Sequence, residues 1–195
     1  MSKQHRKTPP VLRHVAEPGD FQKRSRASVS RFVLVFALVA GAGHAFEYWC
    51  MRTNSVRGYR HVVAVGGAWL ARSAGFEVQA DGTALAAGAR MLEVTPECAA
   101  IDALSIFVAG VLAFPCDWRR KALGASAGLL LIMVANIGRI GLLGGLAASR
   151  PAHFDSVHEK FMHVFPLAVV LPLWLAWIVW IARPRAPRRE APVLT

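Results

Sequence analysis

The sequence predicts an all-α integral membrane protein with about four transmembrane helices, a surface amphipathic helix and a small extracytoplasmic strand pair. Three observations carry this reading. The 195 residues are 54% hydrophobic and 18% charged, with a mean hydropathy of +0.37, more apolar than soluble domains of this size. The apolar residues gather into runs that can cross a hydrocarbon core of about 30 Å at about 1.5 Å per helical residue. Of the 23 Lys and Arg, eight precede the first run, three follow the second at 119–121 and four follow the last. That is the positive-inside pattern. It accounts for the net charge of +11 without a nucleic-acid partner, which would call for a basic patch on a folded surface.

Residues 1–30 are polar and basic, with Pro9, Pro10 and Pro18, and read as a disordered cytoplasmic tail. The membrane domain, residues 31–182, opens with a span at 32–49. A cleavable signal peptide ending near Gly43-His44-Ala45 is the rival reading; the basic leader is long for one. His44 and Glu47 share a helical face as an interfacial pair.

Residues 52–97 form an outer segment. Within it, 61–76 reads as an amphipathic helix on the membrane surface. A true span there would reverse the topology downstream, but Gly66-Gly67 and Arg72 weaken it. Alternation from Phe76 to Thr83 with an Asp81-Gly82 turn, together with Met91 to Thr95, predicts a strand pair leading into Cys98. A second span covers 99–114, with Asp102 one turn inside, and Pro115 ends it. Trp118-Arg119-Arg120-Lys121 marks a cytoplasmic loop.

The third span, 122–148, carries Gly124-xxx-Gly128 and Gly141-xxx-Gly145, small residues that let helices approach closely. An outer loop at 149–160 holds His153, Asp155 and His158. A fourth span at 161–181 precedes a basic cytoplasmic tail, 183–195. Both termini are therefore expected inside.

Three groups separated by these spans can do chemistry. Arg139 lies 18 positions after Lys121, about 27 Å along a helix, so it nears the outer boundary. Cys98 and His158 begin their spans from the same side. An arginine inside a span costs about 2.5–3.5 kcal/mol at the centre and normally faces protein. Asn136, one turn earlier, is placed to brace it. A cysteine attacks as its thiolate; His158 can serve as base, and Arg139 can stabilise the thiolate or bind an acyl oxyanion.

Other readings stand beside this one. Cys98 could be structural, in a disulfide with Cys50 or simply buried, within a membrane scaffold or assembly protein. An intramembrane metalloprotease would use His158, Glu159 and His163. That spacing has one residue more than HExxH, however, so the histidines do not share a face. No cysteine pair has metal-like spacing, and no metal or cofactor is expected.

From Phe76 to Trp180 the sequence resembles the exosortase/archaeosortase family, especially its short bacterial members. The resemblance rests on Met91-Leu92-Glu93-Val94, Cys98, Leu112-Ala113-Phe114-Pro115, Trp118-Arg119, Asn136-xx-Arg139-Ile140 and Phe154-xxx-His158, in that order. It implies a sortase-like cysteine protease or transpeptidase in the bacterial inner membrane, with its active site facing outward. Its partners would be exported proteins with a C-terminal sorting signal, membrane lipids, and a surface polysaccharide or lipid as acceptor. Cys98 maps to the family's proposed nucleophile, Arg139 to its essential arginine and His158 to its histidine. Asp155 would orient His158. Many relatives have glycine two positions after the cysteine, where close backbone approach is then allowed; here the residue is Ala100.

Overall fold

The computed structural model describes residues 18–183. In chain order its elements are α1 (Pro18–Thr53), α2 (Arg57–Ser73), β1 (Val78–Asp81), β2 (Ala84–Ala87), β3 (Arg90–Glu93), α3 (Ile101–Ala113), α4 (Trp118–Ser149) and α5 (Pro151–Ala182). Among the described residues, three helices are long and apolar enough to cross a membrane: Ser28–Thr53 within α1, α4, and α5. Leu130, Leu142, Val164, Leu167 and Leu175 point away from the protein, as they would toward lipid.

The expected second span is shorter than the sequence suggests. α3 has 13 residues, about 20 Å at 1.5 Å per residue. Ala99 and Ala100 belong to a turn before it, and Ala100 is left-handed, with φ +57° and ψ 34°. At the other end Phe114 is extended (φ −70°, ψ 135°), because Pro115 disfavours a helical residue before it. α3 runs antiparallel to α4. Asn136 Nδ2 donates to Cys98 O at one end, and Lys121 Nζ donates to Leu112 O at the other.

The outer loop expected at 149–160 is helix. Pro151 sits at its start, where a missing N–H costs nothing. Phe154 is buried, and Val157, His158, Met162 and Phe165 are half-buried, so one face of the polar stretch packs inward at helical spacing. The span expected from 161 thus begins ten residues earlier. α1 likewise takes in residues 18–30 of the expected tail. Pro18 is its first residue, a position where the missing N–H costs nothing. The remaining tail residues, 1–17 and 184–195, lie outside the described residues.

α2 is amphipathic, as expected, and it docks along α4. Val63, Ala64, Gly67, Ala68 and Ala71 are buried, while Val62 and Trp69 are exposed. The two backbones meet at glycine: a Cβ on Gly141 would stand 3.0 Å from Gly67 O. Between α2 and α3 the sheet has three strands, not two, in the order β1-β2-β3, all antiparallel. The additional strand is β2, Ala-Leu-Ala-Ala, whose alanines give little strand signal. Gly82 and Gly88 each open a two-residue hairpin loop with φ +60° and +59°, a conformation glycine adopts without penalty.

Two apolar clusters hold the chain together. One joins α2, the sheet, α4 and the start of α5 through Val63, Leu85, Val94, Ile140, Leu143 and Phe154, and it includes Cys98. The other joins α3, α4 and α5 through Phe107, Val111, Ile132, Val170 and Trp177. Gly124 and Gly128 serve this second cluster. A Cβ at either would lie 2.0 Å from Trp177 or Phe107 respectively, so each glycine makes room for a ring. Beside them, Arg120 donates to Ile181 O at 2.7 Å, capping the last turn of α5 with a cation.

Candidate active site

Cys98 sits in a non-helical loop, residues 94–100, between β3 and α3. The loop is a tight turn: Ala99 N donates to Thr95 O at 3.0 Å and Ala100 N to Glu97 O at 3.2 Å. Cys98 N donates to Thr95 Oγ1 at 3.4 Å. Helices on either side then grip its carbonyls. Asn136 of α4 donates to Cys98 O at 3.0 Å. Tyr59 of α2 donates to Ala99 O at 2.9 Å; burial pushes its hydroxyl above the ordinary range, which keeps the donated proton in place. Arg60, next along α2, donates through Nε to Val94 O.

The three groups singled out in the sequence converge here. Cys98 Sγ and His158 Nε2 are 4.0 Å apart, although 60 positions separate them in sequence. Cys98 is nearly buried, at 8% exposure. The His158 ring stacks on Phe154 with centroids 5.3 Å apart and planes 15° from parallel, which fixes its direction about two turns into α5. Arg139 is buried and lies over the Phe165 ring at 5.1 Å, with one terminal nitrogen against Met162 Sδ. Its Nε has no partner among the described residues. Cys98 and Asp102 lie within electrostatic reach of Arg139, and Arg139 within reach of His158. A cavity of about 300 Å³ opens on the thiol and imidazole, lined also by Leu85, Met91, Thr95 and Phe154.

Two supporting residues form their hydrogen bonds with groups other than those the sequence suggested. Asn136 does not brace Arg139; its amide holds the Cys98 carbonyl, a partner from another helix. Asp155 has no hydrogen bond to His158 among the described residues, although its charge reaches the imidazole. It pairs with Arg90 at 3.2 Å, and Arg90 in turn lies over Phe154. The i, i+3 spacing brings two helical side chains near one another without obliging them to bond, and here each bonds a group on another element. Cys50, Cys98 and Cys116 are all free thiols, so the Cys50–Cys98 bridge is not formed. His44 and Glu47 do stand together, at 3.7 Å, with Glu47 buried. His158 and Glu159 both lie on α5; the side chain of His163 lies outside the described residues.

Some residues of the site were not anticipated. Phe154 was noticed only as part of a motif. Tyr59 carried no sequence signal. Arg60 lies at the polar edge of an apolar run and carried no clear signal either.

The transmembrane exosortase family model matches residues 25–180, a span that contains every group just described. The chain belongs to the transmembrane exosortase family. No curated protein and no solved structure matches it. The motif residues Cys98, Asn136, Arg139 and His158 occupy one end of the helical bundle, beneath the sheet. Trp118 and Arg119, also in the motif set, lie at the other end and start α4.

Proposed function

We propose that the chain is a sortase-like cysteine transpeptidase embedded in the bacterial inner membrane. It cleaves exported proteins at a C-terminal sorting signal made of a short motif, a transmembrane helix and a basic tail. What supports this above all is the 4.0 Å approach of Cys98 Sγ to His158 Nε2 beside a buried guanidinium. A nucleophile within reach of its base is the arrangement acyl transfer needs, and resting contacts are often longer than working ones.

His158 takes the thiol proton, and Cys98 Sγ attacks the scissile carbonyl carbon. Arg139 steadies the negative charge on sulfur and then on the tetrahedral oxygen. Collapse breaks the C–N bond, His158 protonates the leaving amine, and a thioester remains on Cys98. An acceptor hydroxyl or amine, or water, attacks the thioester; His158 removes its proton and sulfur leaves as thiolate. The acceptor class is a surface polysaccharide or lipid. In this reading the basic segments 1–30, 119–121 and 183–195 face the cytoplasm, as the positive-inside rule requires. The site then faces outward, and α3 completes a fourth, short crossing.

The test is substrate maturation in cells. Cys98→Ala should abolish it with protein levels unchanged, while Cys116→Ala should do neither. A proteomic comparison of deletion and parent strains should reveal an accumulating membrane-anchored precursor. Normal maturation by Cys98→Ala would remove the nucleophile and the reading with it.

A further inference from the structure

The loop that carries Cys98 has no regular structure of its own, yet its carbonyls at three positions are taken by side chains from outside it. Asn136 holds Cys98 O and Tyr59 holds Ala99 O. Arg60 does more than hold Val94 O. Its Nη1 donates to Asn54 Oδ1 at 2.7 Å, and its Nη2 reaches Glu93 and Thr83. Thr83 also donates to Glu93 Oε1 at 2.9 Å. One buried guanidinium thus ties together the end of α1, the β1–β2 turn, the end of β3 and the first residue of the cysteine loop. Only a planar group with several donors can do this; an ammonium is a point charge on a flexible stem.

We infer that Arg60, with its neighbour Tyr59, is a positioning residue that holds Cys98 at its working distance from His158. The inference rests on the catalytic reading of Cys98 given above. Neither residue touches the reacting atoms; each acts through a backbone carbonyl of the loop. Thr95 and Pro96 alone do not fix the loop, because their turn bonds move with it. Release of Val94 and Ala99 leaves Asn136 as the one side-chain anchor described for its carbonyls. Sulfur can then leave the imidazole and turn toward solvent.

This gives a signature in which two rates move in opposite directions. The thiol is nearly buried, so a freed loop exposes it to small reagents. The same freedom degrades attack geometry, where a displacement of about 1 Å can cost about 100-fold. The experiment uses the full-length protein in detergent. Alkylation by iodoacetamide is measured in a Cys50→Ala, Cys116→Ala background, which leaves Cys98 as the sole thiol. Turnover of a sorting-signal peptide with its transmembrane helix is measured in parallel, with thermal unfolding as control.

Arg60→Lys is expected to alkylate about tenfold faster and to lose about ten- to 100-fold in kcat, with KM within about twofold. Tyr59→Phe, which keeps the ring and its packing, should shift both rates the same way by about three- to tenfold, with an unchanged unfolding midpoint. Parental alkylation and kcat in both variants would overturn the inference. So would losses that track a lowered unfolding midpoint, since those report stability alone. If Arg60→Lys does not fold, Tyr59→Phe decides. Failure of the catalytic reading looks different: Cys98→Ala then processes substrate normally, whatever the alkylation rates show.

Discussion

Ala100 offers a direct measurement of backbone strain at the candidate site. It is a non-glycine residue at φ +57°, buried to 1% exposure, immediately before α3. Left-handed backbone costs an L-residue about 1–2 kcal/mol, because Cβ crowds the following carbonyl. Ala100→Gly removes that cost. It also loses a buried methyl and gains about 0.5–1 kcal/mol of unfolded-chain entropy to be lost on folding. Ala99 is an internal control. It is equally buried and is not among the positive-φ residues, so Ala99→Gly carries the same two penalties and no relief. The difference between the two variants isolates the strain. Ala100→Gly should be more stable than Ala99→Gly by about 1–2 kcal/mol, or about 2–8 °C in unfolding midpoint for a chain of this length. Thermal unfolding of the detergent-solubilised variants measures it directly. Equal midpoints would refute the left-handed assignment.

Other outcomes follow from the packing and the site. Gly128→Ala should destabilise by about 1–3 kcal/mol, since its Cβ meets the Phe107 ring at 2.0 Å and overpacking costs that much. Gly138→Ala, with nothing within 4 Å, should be neutral or slightly stabilising in the same unfolding assay; similar losses in both would contradict the packing. Arg139→Lys should lower turnover about 100-fold, the scale of a lost oxyanion donor; parental turnover would reduce its role to charge alone. Asp155→Asn should keep near-parental turnover, because its ion pair with Arg90 is exposed and such pairs contribute about 1 kcal/mol or less. A loss as deep as that of His158→Ala would return Asp155 to the role of orienting the imidazole.

The convergence of Cys98, Arg139 and His158 was legible because helix rise and span order depend on counting residues, and counting is what a sequence allows. Element limits were less legible. Hydropathy marks where a helix is apolar, not where it is hydrogen-bonded, so the polar first turns of α5 read as a loop. α3 lost residues at its start for the opposite reason: Ala99 and Ala100 look like span, but tertiary bonds from Tyr59 and Asn136 hold their neighbourhood in a turn. β2 was invisible because its alanines owe their strand to the surfaces around them. The hydrogen-bond partners of Asn136 and Asp155 were missed on the same ground. A motif records neighbours along one helix, whereas each side chain found its partner on another element.

The brevity of α3 has a further consequence for access. Ser149 of α4 stands about 20 Å along the helix beyond Asn136, which marks the depth of the cysteine carbonyl. Because α3 is short, α2 and the sheet pack along this stretch of α4 instead, and Leu85, Met91 and Leu92 of the strands line the cavity of about 300 Å³ that reaches the sulfur. On the proposed reading, the second reactant that resolves the thioester must enter this cavity, so its girth becomes a criterion of selection alongside its chemistry.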